Sequence, residues 1–224
     1  MKIKNKNSTT IFLLLVITFT IFPNFAKGQI IQTIYPTKDA SVNTVFPNDN
    51  TGSNPWLWIS SAENASFGRC QAYIYFELPS DFTNYNVMNL HFYILLGDIE
   101  ATFNISIYRI VQDWDEMTLN WTGKPSLGEY ILSRQVESHK TYDINVKNHL
   151  SSNIFSICII AEESQYNFGQ IPSKEHGSYT GDNRLAIILS NIDTIIIISV
   201  VGIAVIAGTA VIGFFLYKRK KSKK

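Results

Sequence analysis

Carboxylates crowd together at Asp113, Asp115 and Glu116, flanked by Trp114 and Trp121. Paired carboxylates can hydrolyse a glycosidic bond, but only when they stand on either side of it, roughly 5–10 Å apart. Neighbours on one turn do not flank anything. The expected role of Asp113 and Glu116 is to accept hydrogen bonds from loop backbone, with Trp114 and Trp121 plugging the edge of a sheet. Calcium is a second use for such groups. Asp39, Asp49, Asp113 and Asp115 offer hard oxygens on loops, although their spacing is not that of a dedicated calcium loop. The third chemistry is sugar binding, which needs aromatic faces for pyranose C–H groups and nearby amides or carboxylates for the hydroxyls. Trp56, Trp58, Tyr73 and Tyr75 are the candidates: the two tyrosines alternate with apolar residues, and Trp56 follows a loop rich in Asn and Asp.

Other catalytic patterns are missing from the sequence. His91, His139, His149 and His176 have no metal-ligand spacing, and there is no Gly-x-Ser-x-Gly elbow, phosphate loop or Cys-x-x-Cys pair. The expectation is a protein that binds and does not catalyse.

The elements that would position these residues are strands. Cys70, Ala72, Ile74, Phe76 and Leu78 alternate with Gln71, Tyr73, Tyr75 and Glu77, the period of a half-buried strand. Runs at 30–35, 56–59, 90–96, 103–110, 130–132, 142–144, 154–160 and 185–189 read likewise, separated by turn clusters such as Pro47–Ser53. Only 145–150 has a helical look. Some eight to ten short strands make an all-β domain, a β-sandwich of jelly-roll type.

The chain ends have different tasks. Lys2, Lys4 and Lys6, an apolar stretch from Ile11 to Phe22 and the small-residue pattern Ala26-Lys27-Gly28 describe a signal peptide over residues 1–28. The uncharged run from Ile195 to Tyr217 would make roughly 34 Å of helix, enough to cross a bilayer. A basic tail follows over residues 218–224. The organisation expected is therefore a signal peptide (1–28), an extracellular domain (29–193), a C-terminal transmembrane helix (194–217) and a short cytoplasmic tail, in a single-pass plasma-membrane protein with its C-terminus inside. Membrane lipid would be met through that helix. Its small-xxx-small pairs, Ala204 with Gly208 and Thr209 with Gly213, allow weak self-association.

All 18 acidic residues fall between positions 28 and 193, with only nine of the 19 basic ones, so the external part carries about −9. Nucleic acid is excluded as a partner, since its phosphates need a basic footprint. Cys70 and Cys158 both lie in the exported part, where they could form one disulfide or remain buried thiols. Asn64, Asn104 and Asn120 begin sequons for surface glycosylation.

The order of motifs resembles the DNRLRE domain, also classed as carbohydrate-binding module family 96. Asp39-Ala40-Ser41-Val42 is similar to that family's opening strand, and Asn50-Thr51-Gly52 to its Asn-x-Gly turn before the strand at Trp56. Arg69 to Pro79, the Trp114–Trp121 segment with Glu116, and Asp143-Ile144-Asn145 match further elements. Ser173-Lys174-Glu175 stands where the family has Ser-Arg-Glu. The resemblance implies a noncatalytic jelly-roll module, with Asp39, Arg69, Trp114, Glu116, Trp121, Ser173 and Glu175 as structural motif residues. The function expected is cell-surface recognition of an extracellular polysaccharide or glycan. The alternative is a structural or protein–protein adhesion domain of the envelope.

Overall fold

A computed structural model describes residues 31–61, 68–97, 102–162, 168–177 and 183–191. The expected signal peptide, transmembrane helix and basic tail lie outside these residues, as does the Asn64 sequon. Among the described residues no helix is long and apolar enough to cross a membrane.

The described chain is all-β and antiparallel. Its strands are β1 (Ile31–Ile34), β2 (Lys38–Asn43), β3 (Trp56–Ser60), β4 (Cys70–Glu77), β5 (Val87–Leu96) and β6 (Thr102–Arg109), then β7 (Tyr130–Glu137), β8 (Lys140–Asn145), β9 (Ile154–Ala161), β10 (Phe168–Pro172) and β11 (Ala186–Ser190). They run in the order β1-β11-β5-β10-β3-β4-β9-β6-β7, with β2 also paired to β4 and β8 to β5. β5 joins the two halves: β11 pairs with its first part through Val87–His91, and β10 with Leu95 and Leu96.

One buried cluster draws on both halves, with Leu90, Phe92 and Ile94 from β5 and Ile187 and Leu189 from β11 meeting Ile74 and Phe76 of β4, Ile105 and Ile107 of β6 and Phe155, Ile157 and Ile159 of β9. Alternation along each strand is what delivers these residues to one side.

β10 escapes the sequence pattern because Gly169 and Pro172 make Phe168–Pro172 look like a turn. Gly169 is there because the core leaves no room: a Cβ at that position would stand 3.1 Å from Phe103 and 3.2 Å from Leu96. The helical look of 145–150 reduces to a single 3-10 turn at Lys147–His149, following directly on β8.

The larger difference concerns β4. It is not half-buried. Tyr73 is wholly buried and Tyr75 nearly so, in a second cluster with Ala40, Val42, Ile110, Trp114, Leu119 and Cys158. The chain after β6 folds back over this side of the sheet. Trp114 meets both tyrosines edge-on, at centroid distances of 6.1 and 6.4 Å, and its indole N–H donates to Ser156 Oγ at 3.0 Å. Tyr73 Oη donates to the Pro125 carbonyl at 3.1 Å. The tyrosines were legible as the polar side of a strand only because the cover comes from a distant loop.

The two cysteines remain separate free thiols, both buried. Cys158 lies opposite Tyr73, three positions along β4 from Cys70. At about 3.3 Å per residue the pair is displaced by about 10 Å, beyond the roughly 7 Å that a disulfide spans. Burial pushes each thiol up to about 12, so both stay protonated and unreactive at neutral pH.

Replacing Trp114 tests the second layer. Trp114→Ala should destabilise the domain by about 3–5 kcal/mol in denaturant unfolding, the range for losing a buried tryptophan. A loss below about 1 kcal/mol would mean that the loop is not an integral cover.

Candidate functional site

β2 pairs with β4 on one side only, so its other edge must find partners elsewhere. Side chains supply them. The Asp39 amide donates to Glu116 Oε1 at 2.8 Å, and the Ser41 amide donates to Thr51 Oγ1 at 2.9 Å. Asn50 closes the arrangement, its side-chain amide donating to the carbonyls of Glu116 at 2.6 Å and Leu119 at 3.0 Å. Gly52 packs so tightly here that a Cβ would overlap the Glu116 carbonyl oxygen and stand 2.7 Å from its Cγ. The turn at 50–52 is thereby held against both β2 and the 114–119 segment.

That turn forms one wall of an open cleft of about 240 Å³. Its lining includes Trp58, Phe46, Asn43, Asp49, Asn50 and Asn54. Trp58 and Trp56 alternate along β3 with Leu57 and Ile59, which enter the core, so both indoles are left half-buried outside it. Trp58 is braced edge-on by Phe168 at 5.5 Å. Phe46 is 53% exposed, held on a turn in which its amide donates to Asn43 Oδ1 at 2.7 Å. Two aromatic rings with amides and a carboxylate around them suit a polyhydroxylated ligand: the rings cover C–H faces and the polar groups address hydroxyls.

Of the four aromatics expected to bind sugar, then, only Trp58 lines this cleft. Trp56 packs edge-on against His176 at 4.4 Å. Tyr73 and Tyr75 are buried and have no face to offer, which corrects the expectation for both. Phe46, Asn43 and Asn54 were not singled out, and Asn50 entered only as part of the Asn-x-Gly turn. The signal for Phe46 was a lone aromatic at the start of a turn-forming Pro-Asn-Asp-Asn run.

The calcium set is not assembled as expected. Asp113 is exposed and paired with Lys38 at 3.2 Å, a contact that lowers its pKa below the usual carboxylate range. Asp115 Oδ1 accepts the Met117 amide at 3.0 Å within its own turn, and Asp49 lies on the cleft wall. Among the described residues the three carboxylates that do converge are Asp39, Glu116 and Glu175.

The remaining motif residues build their surroundings. Ser173 Oγ donates to the Asn54 carbonyl at 2.7 Å, which positions Lys174 so that its amide donates to Asp39 Oδ2 at 2.8 Å. Lys174 Nζ reaches Glu116 at 2.8 Å and also meets Glu175. Arg69 donates its amide to Thr44 Oγ1 at 3.0 Å and lines a second concavity of about 230 Å³ with Glu162 and Gln71. Trp121 packs beside the second cluster with Lys124 Nζ 4.4 Å above its ring. Of the two described sequons, Asn104 is exposed on β6, whereas Asn120 Oδ1 accepts from Thr122 Oγ1 and the Gly123 amide at 2.8 Å.

Asp39 is 1% exposed. Burial pushes its carboxyl up to about 7; the Lys174 amide opposes the shift, while Glu175 and Glu116 reinforce it.

Residues 30–187 match the family model of carbohydrate-binding module family 96. No curated protein matches the chain.

Asp39 yields a test in pH. Its folded-state pKa, about 7, lies above its ordinary 3.8, so the folded form holds a proton that the unfolded chain releases. Its contribution to stability is complete below pH 3.8 and is lost as pH rises through about 7. Asp39→Asn keeps an acceptor for the Lys174 amide and removes the titration. In chelator-treated buffer its melting temperature should gain on wild type steadily from pH 4 to pH 8. A difference that does not change with pH would show that Asp39 ionises normally.

Proposed function

The chain belongs to carbohydrate-binding module family 96, and from that premise we propose that it is a noncatalytic binding module of the cell surface that takes an extracellular polysaccharide in the Trp58 cleft. The observation that carries this reading is the cleft lining, in which Trp58 and Phe46 share the wall with Asn43, Asp49 and Asn54. An open cleft suits a segment within a polymer, which must enter and leave at both sides. The surrounding charge selects further. With Asp49 on the wall and a net −9 over residues 28–193, neutral or cationic glycans are favoured over polyanionic ones.

The architecture we infer is a jelly-roll β-sandwich, supported by the antiparallel pairing and by one core fed from both halves of the sheet. Display follows from the sequence: a signal peptide exports the domain, and the apolar run at 195–217 with its basic tail anchors it in the plasma membrane. The Asn104 and Asn120 sequons would then face the glycosylating compartment.

Purified full-length protein in detergent should bind a defined set of neutral polysaccharides on a glycan array. Trp58→Ala and Phe46→Ala should each weaken that binding about five- to thirty-fold, the loss of one stacking contact of roughly 1–2 kcal/mol. An array blank for folded protein would overturn the reading in favour of an adhesion domain. Binding untouched by either substitution would place the sugar elsewhere.

A further inference from the structure

The convergence of Asp39, Glu116 and Glu175 asks for more positive charge than the protein supplies. One carboxylate oxygen from each lies within 4.8 Å of the others. Three carboxyl groups meet a single ammonium, that of Lys174, which contacts Glu116 at 2.8 Å and also Glu175. Independently, Asp39 Oδ1 is buried and has no hydrogen-bond partner. A carboxyl oxygen stripped of water and left without a hydrogen-bond partner is costly, and such an atom in a native fold calls for an explanation.

We propose that Asp39, Glu116 and Glu175 form a binding site for a hard divalent cation, of which calcium fits best. All three ligands are carboxylates, the oxygen donors that calcium prefers, and calcium tolerates the irregular geometry of ligands from separate loops. The ion's two charges would face all three carboxyl groups once Lys174 withdraws. Lys174 holds the cation position in this structure, and its side chain is 23% exposed. A flexible four-carbon stem lets the ammonium withdraw into water while the ion takes its place against the carboxylates. The backbone contacts remain, because Asp39 Oδ2 stays bonded to the Lys174 amide and Glu116 to the Asp39 amide.

The ion would consequently tie β2 to the 114–119 segment and the 173–176 turn, three pieces of chain far apart in sequence. Glu116 also carries the Asn50 contact, so the site adjoins the turn that walls the Trp58 cleft. The inference stands on the carboxylate geometry and does not rest on sugar binding.

The test uses the metal alone with full-length protein stripped by chelator. Thermal unfolding and terbium luminescence excited through tryptophan report binding. Calcium should raise the melting temperature of wild type in a saturable way, with a dissociation constant on the order of 0.1–1 mM. Lys174→Met removes the competing ammonium and should tighten binding about tenfold, whereas Glu175→Gln, at a more exposed position, should weaken it about tenfold. Circular dichroism verifies that each variant is folded. No response to calcium at about 10 mM in either wild type or Lys174→Met would overturn the proposal. So would a response unchanged by Glu175→Gln and Glu116→Gln, since the ion would then sit elsewhere.

Discussion

A strand with one unpaired edge, enclosed by the protein's own loops, sets the terms for the rest of this molecule. β2 has a sheet partner on one side only, and the backbone donors of Asp39 and Ser41 on the other side are satisfied by Glu116 and Thr51. An amide left unbonded there would cost about 1–3 kcal/mol, so side chains have to reach back from distant loops. Glu116 comes from 77 residues away. Its carboxylate serves the strand and Lys174, while its carbonyl accepts from Asn50. A single residue thereby fixes the relative position of the opening strand, the 50–52 turn and the 173–176 turn.

The same segment performs a second task with its aromatic residues. Trp114 and Leu119 cover Tyr73 and Tyr75, so the middle of the sheet around β4 has a packed layer on each side. The polar tips find partners, Trp114 at Ser156 and Tyr73 at Pro125, and burial therefore strands no donor. The arrangement explains why Glu116 and Trp114 lie so close in the chain. One anchors the loop at the strand edge and the other seats it on the sheet face. Trp58 and Phe46, on the cleft beside the 50–52 turn, are among the aromatics that this cover does not reach.

How much of this was legible beforehand varies with the range of the interaction. The strand at Cys70–Glu77 follows from its alternation of residue types, because the two-residue period of side-chain direction is a local property of extended chain. β10 did not, since Gly169 and Pro172 carry local turn signals and only the crowding by Phe103 and Leu96 explains the glycine. Among the candidate aromatics, the polar loop before β3 pointed to Trp56, while the cleft is lined by Trp58 two positions on. Tyr73 and Tyr75 could not be rejected, because alternation says which side of a strand a residue takes but not whether a loop some 40 residues later lies over it. The calcium question shows the same limit: Asp39 belonged to the expected set, but its converging partners are Glu116 and Glu175, which loop geometry brings in.

The sequence alone determined the all-β character, most of the strand positions, the acidic balance and the family resemblance, all of which depend on residue types and spacings within a few positions of one another. Tertiary structure decided which aromatics stay exposed, that Cys70 and Cys158 are too far apart to bridge, and which carboxylates meet around Lys174. Those outcomes depend on register between strands and on loops that return across the sheet. Such contacts are selected by packing and by the need to satisfy buried backbone groups, and neither condition leaves a short-range mark in the chain.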